Sequence, residues 1–237
     1  MPERRDPPVA WLYLRLSKLG AARFASARDI ARLMERAIKR AGVPVAYSSG
    51  FSPHQRVSYA TPAPTGAASH AEYLTIGLTS RGEADHWAQT LDAELPAGFH
   101  IEGALLSTDK GLLSQLNASR WRLECPGNIA GNELERTVAA FLAAREVIIE
   151  RRSKSGVRPQ DVRAAVVTLQ ANTEASQKAN PATPALQVVI TQTEPLIRPA
   201  DVWAGLATIN PALLEASPLL TREAQGRLAG DSVTTLI

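Results

Sequence analysis

One cysteine, Cys125, and four scattered histidines are all that the 237 residues offer a soft metal. A single thiol excludes a disulfide framework within the chain and a tetrahedral zinc site built from cysteines. There is no His-x-x-x-His pair and no clustered aspartate run of the calcium kind. The segments SSGF and SKSG lack the glycine spacing and helix context of a phosphate-cradling loop, and nothing local resembles a nucleophile elbow. No metal, no cofactor and no catalytic residue are therefore expected. No apolar run approaches the roughly 18 to 20 residues of a membrane span, and the opening MPERRDPPVA lacks the apolar stretch of a secretory signal. A reducing cytoplasm is the expected setting.

What the chain does have is a 45% hydrophobic content, enough for a proper core, and a length that fits two ordinary domains. Its charge is uneven. The net value is +3, yet residues 1–60 hold eleven Lys and Arg against four Asp and Glu, a net +7, and the remainder nets −4. A basic lobe points to a polyanionic partner, although solvated faces explain many such asymmetries.

The densest stretch of backbone-shaping residues is GVPVAYSSGFSPHQRVSYATPAPTG, Gly42 to Gly66. Gly42, Gly50 and Gly66 admit positive φ, while Pro44, Pro53, Pro62 and Pro64 fix φ and remove donors. Between them lie Ser48, Ser49, Phe51, Ser52, His54, Gln55, Arg56, Ser58 and Tyr59. This is either a kinked hairpin and crossing or a binding surface on a rigid scaffold.

Residues 1–9 read as a disordered lead-in. Trp11 to Ser17 alternates with Leu12, Leu14 and Leu16 on one side, the period of a half-buried strand. Ser26 and Asp29 form an N-cap pair for a helix whose apolar face is Ile30, Leu33, Met34, Ala37, Ile38 and Ala41, ended by Gly42. Strands are expected over 43–47, 55–61 and 72–78, a helix over 82–95, and a strand near 99–105. Strand, helix, strand, strand, helix, strand is the split βαβ order of ferredoxin-like domains. A second α+β unit follows: strands over 120–125, 146–152 and 186–192, helices over 132–144 and 198–209, a basic turn RRSKSGVRPQDVR, and a polar stretch 170–185 expected to be mobile. The fold class expected is α+β, two ferredoxin-like units with antiparallel sheets, the second incomplete. The boundaries expected are 10–108 for the first domain, 119–212 for the second, and 213–237 for a tail of uncertain order.

Arg28, Arg32 and Arg36 recur every four residues on the outer face of the first helix. Arg15, Lys18, Arg23 and Arg56 border that stripe if strand and loop pack against it, and Lys154, Arg158 and Arg163 of the second unit extend it. Such a patch is a solvated helix face, a docking surface for a protein, or a contact for RNA or DNA with weak, salt-sensitive affinity. Ferredoxin-like sheets also present aromatic residues for stacking, and Trp11, Tyr13, Tyr47, Phe51, Tyr59 and Tyr73 are the candidates. His54 is a general base only if the fold brings it a carboxylate, Asp29 or Glu72. Ser49, Gly50, Phe51, Ser52, Pro53, His54, Arg56 and Ser58 complete the candidate surface.

The run FASARDIARLMERAIKRAGVPVAYSSGFSPHQRVSYATPAPTG, with AEYL at Ala71 to Leu74, resembles a bacterial family of unassigned function linked to radical SAM proteins. More loosely the resemblance reaches SKSGVRPQDVR and IRPADV, so that it covers about Trp11 to Ile209. The family pattern often has a histidine between the capping serine and the aspartate, where this chain has Ala27 and Arg28, and an Asn after the GF pair, where it has Ser52. Members are fused behind a radical SAM domain or encoded beside a protein containing one. The resemblance thus implies a radical SAM protein as partner. It supplies no reaction: a radical SAM cluster takes three cysteine thiolates, and this chain has one. The expected role is a non-catalytic accessory protein, binding RNA or an RNA-containing complex, with a protein-docking scaffold and a small-molecule enzyme using His54 as alternatives.

Overall fold

The computed structural model describes residues 7–125, 129–153, 156–172, 184–215 and 217–237. The chain forms two units, Met1–Leu116 with Thr235–Ile237, and Asn117–Thr234.

The first unit contains β1 (Ala10–Lys18), α1 (Ala27–Arg40), β2 (Val57–Tyr59), β3 (Ala68–Leu78), α2 (Ala84–Asp92) and β4 (Phe99–Ser107). Its strands lie in the order β4-β1-β3-β2, every neighbour antiparallel, which is the split βαβ arrangement of ferredoxin-like domains. Alternation explains the core. Leu12, Leu14 and Leu16 of β1 and Leu74, Ile76 and Leu78 of β3 face Ile30, Met34, Ala37 and Ile38 of α1 and Leu91 of α2. The opposite face is covered too: Ala71, Tyr73 and Leu116 cluster there with Leu113, Leu236 and Ile237. Tyr13 is fully buried, and its hydroxyl donates to the Asp109 carbonyl at 2.6 Å. The half-buried strand read from the sequence is therefore buried on both sides.

Two local departures from the sequence reading shape the loop. Residues 43–47 do not form a strand; they pair only at Val45 with Leu78 and at Tyr47 with Gln55. Pro44 cannot donate, and the edge of β3 is shared out, with Gly77 accepting from Ala46 and donating to Arg56. The lead-in is ordered at its end, where the Val9 amide donates to Leu78; residues 1–6 lie outside the described residues.

Helix α1 starts as its sequence dictates. Ser26 Oγ accepts from the Asp29 amide at 3.2 Å while Asp29 Oδ2 accepts from the Ser26 amide at 3.0 Å, a complete capping box. Ser26→Ala is expected to cost about 1 kcal/mol in a denaturant titration. The Ser26 hydroxyl and amide, and then Arg32 and Arg28, hold the Asp29 carboxyl below its ordinary value of 3.8. Because the folded value is depressed, this contribution is present above the unfolded value and is lost as pH falls through the folded one.

The second unit contains β5 (Ala118–Glu124), α3 (Gly131–Ala143), β6 (Ile148–Ser153), β7 (Gly156–Asp161), β8 (Val166–Asn172), β9 (Ala185–Thr191), α4 (Pro199–Ile209), β10 (Leu219–Ala229) and β11 (Ser232–Thr234). Its sheet runs β10-β5-β9-β8, again antiparallel, with β11 on β10, while β6 and β7 form a separate hairpin. Counting β5, β8, β9 and β10 as first to fourth, the order 4-1-3-2 is that of the first unit. Of the strands that the sequence reading does not contain, β10 and β11 are drawn from the stretch left as tail, and β8 runs into the polar stretch. The basic turn is the β6–β7 hairpin. The polar stretch 170–185 begins and ends in strand, at Asn172 and Ala185; residues 173–183 lie outside the described residues.

Cys125 is buried in this unit, and burial pushes its thiol up to about 11, the nearby Arg122 only partly opposing this. The native chain is expected to resist alkylation by iodoacetamide at pH 8, and to react once unfolded, as mass spectrometry would read directly. No helix among the described residues is long and apolar enough to cross a membrane.

Candidate functional site

The Gly42–Gly66 stretch divides into a projecting hairpin and a pinned crossing. The hairpin is closed by Tyr47 opposite Gln55. Inside that pair the Ser48 amide donates to the His54 carbonyl at 2.8 Å, and the His54 amide donates to Ser48 Oγ at 3.0 Å. Gly50, at φ +125°, occupies a conformation that only glycine enters readily. Ser49, Ser52 and His54 are exposed, Pro53 is half-buried, and the Phe51 ring stands 97% exposed at the tip.

The crossing that follows is held from below. Lys18, at the end of β1, is completely buried, and its Nζ donates to the carbonyls of Ala25, Ala63 and Pro64 at 3.3 to 3.4 Å. Glu72, 6% exposed on β3, accepts from the Ala63 amide at 3.2 Å. Gly66 donates to Arg23. The ammonium, the carboxylate and these backbone bonds fix the path of ATPAPTG.

Above Glu72 lies a cavity of about 200 Å³, lined by Ala27, Ile30, Tyr59, Ala60, Pro62, Glu72, Tyr73 and Leu74. It is the place where the three motif segments, the first turn of α1, the ATPAPTG crossing and AEYL, meet. Its wall is apolar except for Glu72 and the two tyrosines. Burial first, then the Glu35 carboxylate, hold the Tyr59 phenol above its ordinary value of 10.

Arg28, Arg32 and Arg36 are all exposed along α1. Like charges four apart destabilise a helix by about 0.2 to 0.5 kcal/mol per pair, and Arg28 sits at the positive end of the helix dipole, which is unfavourable as well. Arg40, in the last turn, is instead paired with Glu94. The hairpin meets this helix at Gln55, whose Nε2 donates to the Glu35 carbonyl at 3.5 Å, between Arg32 and Arg36. Loop and arginine stripe are thus neighbours on one side of the first unit.

Within the first unit, Arg15, Lys18 and Arg23 are engaged elsewhere. Alternation along β1 puts Arg15 on the far side of the sheet, where its guanidinium reaches the Glu102 carbonyl at 3.4 Å. Lys18 is structural, for the reason above. Arg23 lies over the Phe24 ring at 4.8 Å. Arg56 is half-buried and donates to the Tyr47 carbonyl at 3.2 Å, tying the hairpin's two arms together. Ser58 is exposed on β2. In the second unit Arg163 is spent on the carbonyls of Val166 and Leu142, Arg158 is exposed on β7, and Lys154 lies outside the described residues.

Of the aromatic candidates, Tyr13 and Tyr73 are buried, so the sheet offers no open stacking face of the RRM type. Trp11 has Lys110 Nζ over its ring at 5.4 Å. Tyr47 is half-buried, and Phe51 and, at 38% exposure, Tyr59 are the exposed ones. His54 meets no carboxylate among the described residues: the ion pairs of histidine join His70 to Glu102 and His100 to Asp92, while Asp29 and Glu72 are engaged at Ser26 and Ala63. No group of three or more His, Cys, Asp or Glu able to hold a metal forms among the described residues. The sequence reading missed the cavity. Its signal was an acid, Glu72, on the same strand face as Leu74, Ile76 and Leu78, a position that demands a buried partner.

The model of a family described as an uncharacterized protein conserved in bacteria (DUF2344) matches residues 12–199. No curated protein matches the chain. Among solved structures, DyPB from Rhodococcus jostii RHA1 is similar at 10% identity, over 92% of this chain and 90% of that one, with a TM-score of 0.24. A putative dyp-type peroxidase from Shewanella oneidensis is similar at 7% identity over 94% of each chain, with a TM-score of 0.24. The encapsulated DyP-type peroxidase from Mycobacterium smegmatis follows at 9% identity, over 91% and 92%, with a TM-score of 0.22.

Proposed function

Since the chain belongs to this bacterial family of uncharacterized proteins, matched over residues 12–199, we propose that it is a non-catalytic accessory protein that works beside a radical SAM enzyme and binds RNA, or an RNA-containing complex, through its first unit. The radical SAM partnership rests on the resemblance of the GFSPH and ATPAPTG segments. The RNA reading rests on one observation: the Gln55 contact with Glu35 sets an exposed aromatic loop beside an exposed stripe of three arginines.

Arg28, Arg32 and Arg36 neutralise backbone phosphates and release their counterions. Phe51 offers a stacking platform for one base, a sequence-tolerant contact worth about 1 to 3 kcal/mol. The cavity beside the first turn of α1 is on the scale of one extruded planar ring, with Glu72 at its wall. Titration of the full chain against tRNA and rRNA fragments at two salt concentrations tests this. Binding at low salt that falls steeply at high salt is expected; no binding at low salt removes the RNA reading.

A second reading, a docking scaffold for the radical SAM enzyme itself, is favoured by the Phe51 ring at 97% exposure. Its mark is co-purification with the neighbouring enzyme that survives high salt and is lost with Phe51→Ala.

A further inference from the structure

In the second unit, β6, β7 and the segment Pro195–Leu196 border a cavity of about 570 Å³, a volume within the roughly 300 to 1,000 Å³ of small-molecule sites. Arg151, Arg152 and Arg158 line it, and among the described residues no acid does. Arg151 and Arg158 are direct partners across the hairpin, so their side chains leave the same face. Like charges placed opposite each other in this way repel and destabilise the pairing.

One of the three is already compensated. Arg151 Nη1 donates to the Leu196 carbonyl at 2.7 Å and to Gln160 Oε1 at 3.3 Å, and it lies 3.7 Å from Asp201 Oδ2. Arg152 and Arg158 are exposed, and neither enters an ion pair among the described residues. By the same alternation the Arg152 side chain leaves the opposite face from Arg151 and Arg158. The cavity therefore holds one uncompensated guanidinium group, that of Arg158, beside the fixed one of Arg151, with Pro159, Pro195 and Leu196 as an apolar wall.

We propose that this cavity binds the phosphate group of a phosphomonoester, gripped by Arg158 together with Arg151. Two guanidinium groups on one face, only one of them near an acid, match a dianion better than a carboxylate, and the planar guanidinium fork fits phosphate oxygens in pairs. The apolar wall takes the body of the ligand. The site is independent of the RNA contact in the first unit. Its phosphate comes from a free small molecule or from the terminal phosphate of a nucleic acid.

The test is calorimetric titration of the full chain, at low ionic strength, with inorganic phosphate, adenosine 5′-monophosphate, adenosine, acetate, and one RNA oligonucleotide carrying either a 5′-phosphate or a 5′-hydroxyl. Binding of the monophosphate without binding of adenosine identifies a free phosphomonoester as ligand. A gain from the 5′-phosphate on RNA, with no binding of the small probes, identifies a nucleic-acid end. In either case Arg158→Ala weakens binding roughly tenfold or more, while Arg145→Ala, the same charge change at an exposed site outside the cavity lining, leaves it unchanged. Three results overturn the proposal: no phosphate-bearing probe gains over its phosphate-free counterpart, acetate binds as tightly as phosphate, or R145A and R158A weaken binding equally. Circular dichroism melts of both variants establish that they remain folded. Variants of the α1 arginines leave this binding intact, so its failure and that of the RNA reading are told apart.

Discussion

Lys18→Met is expected to destabilise the first unit by about 3 kcal/mol, the largest effect of any single change considered. The methionine fills nearly the same volume, so the loss is electrostatic rather than steric. It takes the ammonium donor from the carbonyls of Ala25 and Ala63, and one of two donors from that of Pro64, which still accepts from the Ala67 amide. Each buried acceptor left without a donor costs about 1 to 3 kcal/mol. The damage is also local in a readable way: the crossing over Glu72 loses its anchor, and the amides of Ala63 and Gly66 are expected to exchange hydrogen faster. A denaturant titration together with amide exchange measures both. A variant as stable as the parent, with unchanged exchange at Ala63, would mean that the crossing is held without the ammonium.

The second large effect is on binding and leaves the fold intact. Arg28→Ala, Arg32→Ala and Arg36→Ala combined remove three exposed charges from a helix whose capping box and buried face are untouched. Stability is expected to hold or to rise slightly, since the mutual repulsion goes with them. RNA affinity falls, and the slope of log K against log salt becomes shallower by about 2, the change for three lost phosphate contacts on a single strand. Reversing the charge at Lys39, one helical turn beyond the stripe, is expected to change the slope less.

Helix α1 shows what is legible in this sequence. Ser26, Asp29, the apolar positions at helical spacing and Gly42 are all local signals, and the helix they describe is the helix that forms. The split βαβ order of the first unit is legible for the same reason, whereas the second unit reads as incomplete. Lys18 shows the opposite case. Beside Leu19 and Gly20 it reads as a charged turn residue, and its burial depends on carbonyls 45 and 46 residues further on, which no local pattern reveals. Tyr13 and Arg15 are misplaced by the same ignorance of what covers the second face of the sheet.

In the second unit, β10 is hidden by its composition. LLTREAQGRLA carries Arg222 and Glu223 at its middle, which reads as a polar tail. Yet Arg222 is 2% exposed, lying over the Trp121 ring at 5.5 Å, and Glu223 is paired with Arg120. Strand identity here comes from partners found in the fold, and the alternation that marks an amphipathic strand is absent. The β6–β7 hairpin is obscured in a related way: a cluster of arginines with Gly156 and Pro159 reads as a turn, and only the pairing that runs from Ile148 opposite Asp161 to Ser153 opposite Gly156 makes it a ribbon.

Helix α1 and the hairpin are expected to act as one surface. Hydrogen exchange of the full chain, with and without a saturating tRNA fragment at low salt, addresses this most directly. Slowed exchange in residues 27–40 and 48–56 together, with residues 84–92 of α2 unchanged, is the expected result. Protection that leaves both of the first two segments unaltered, or that touches one of them only, would contradict it.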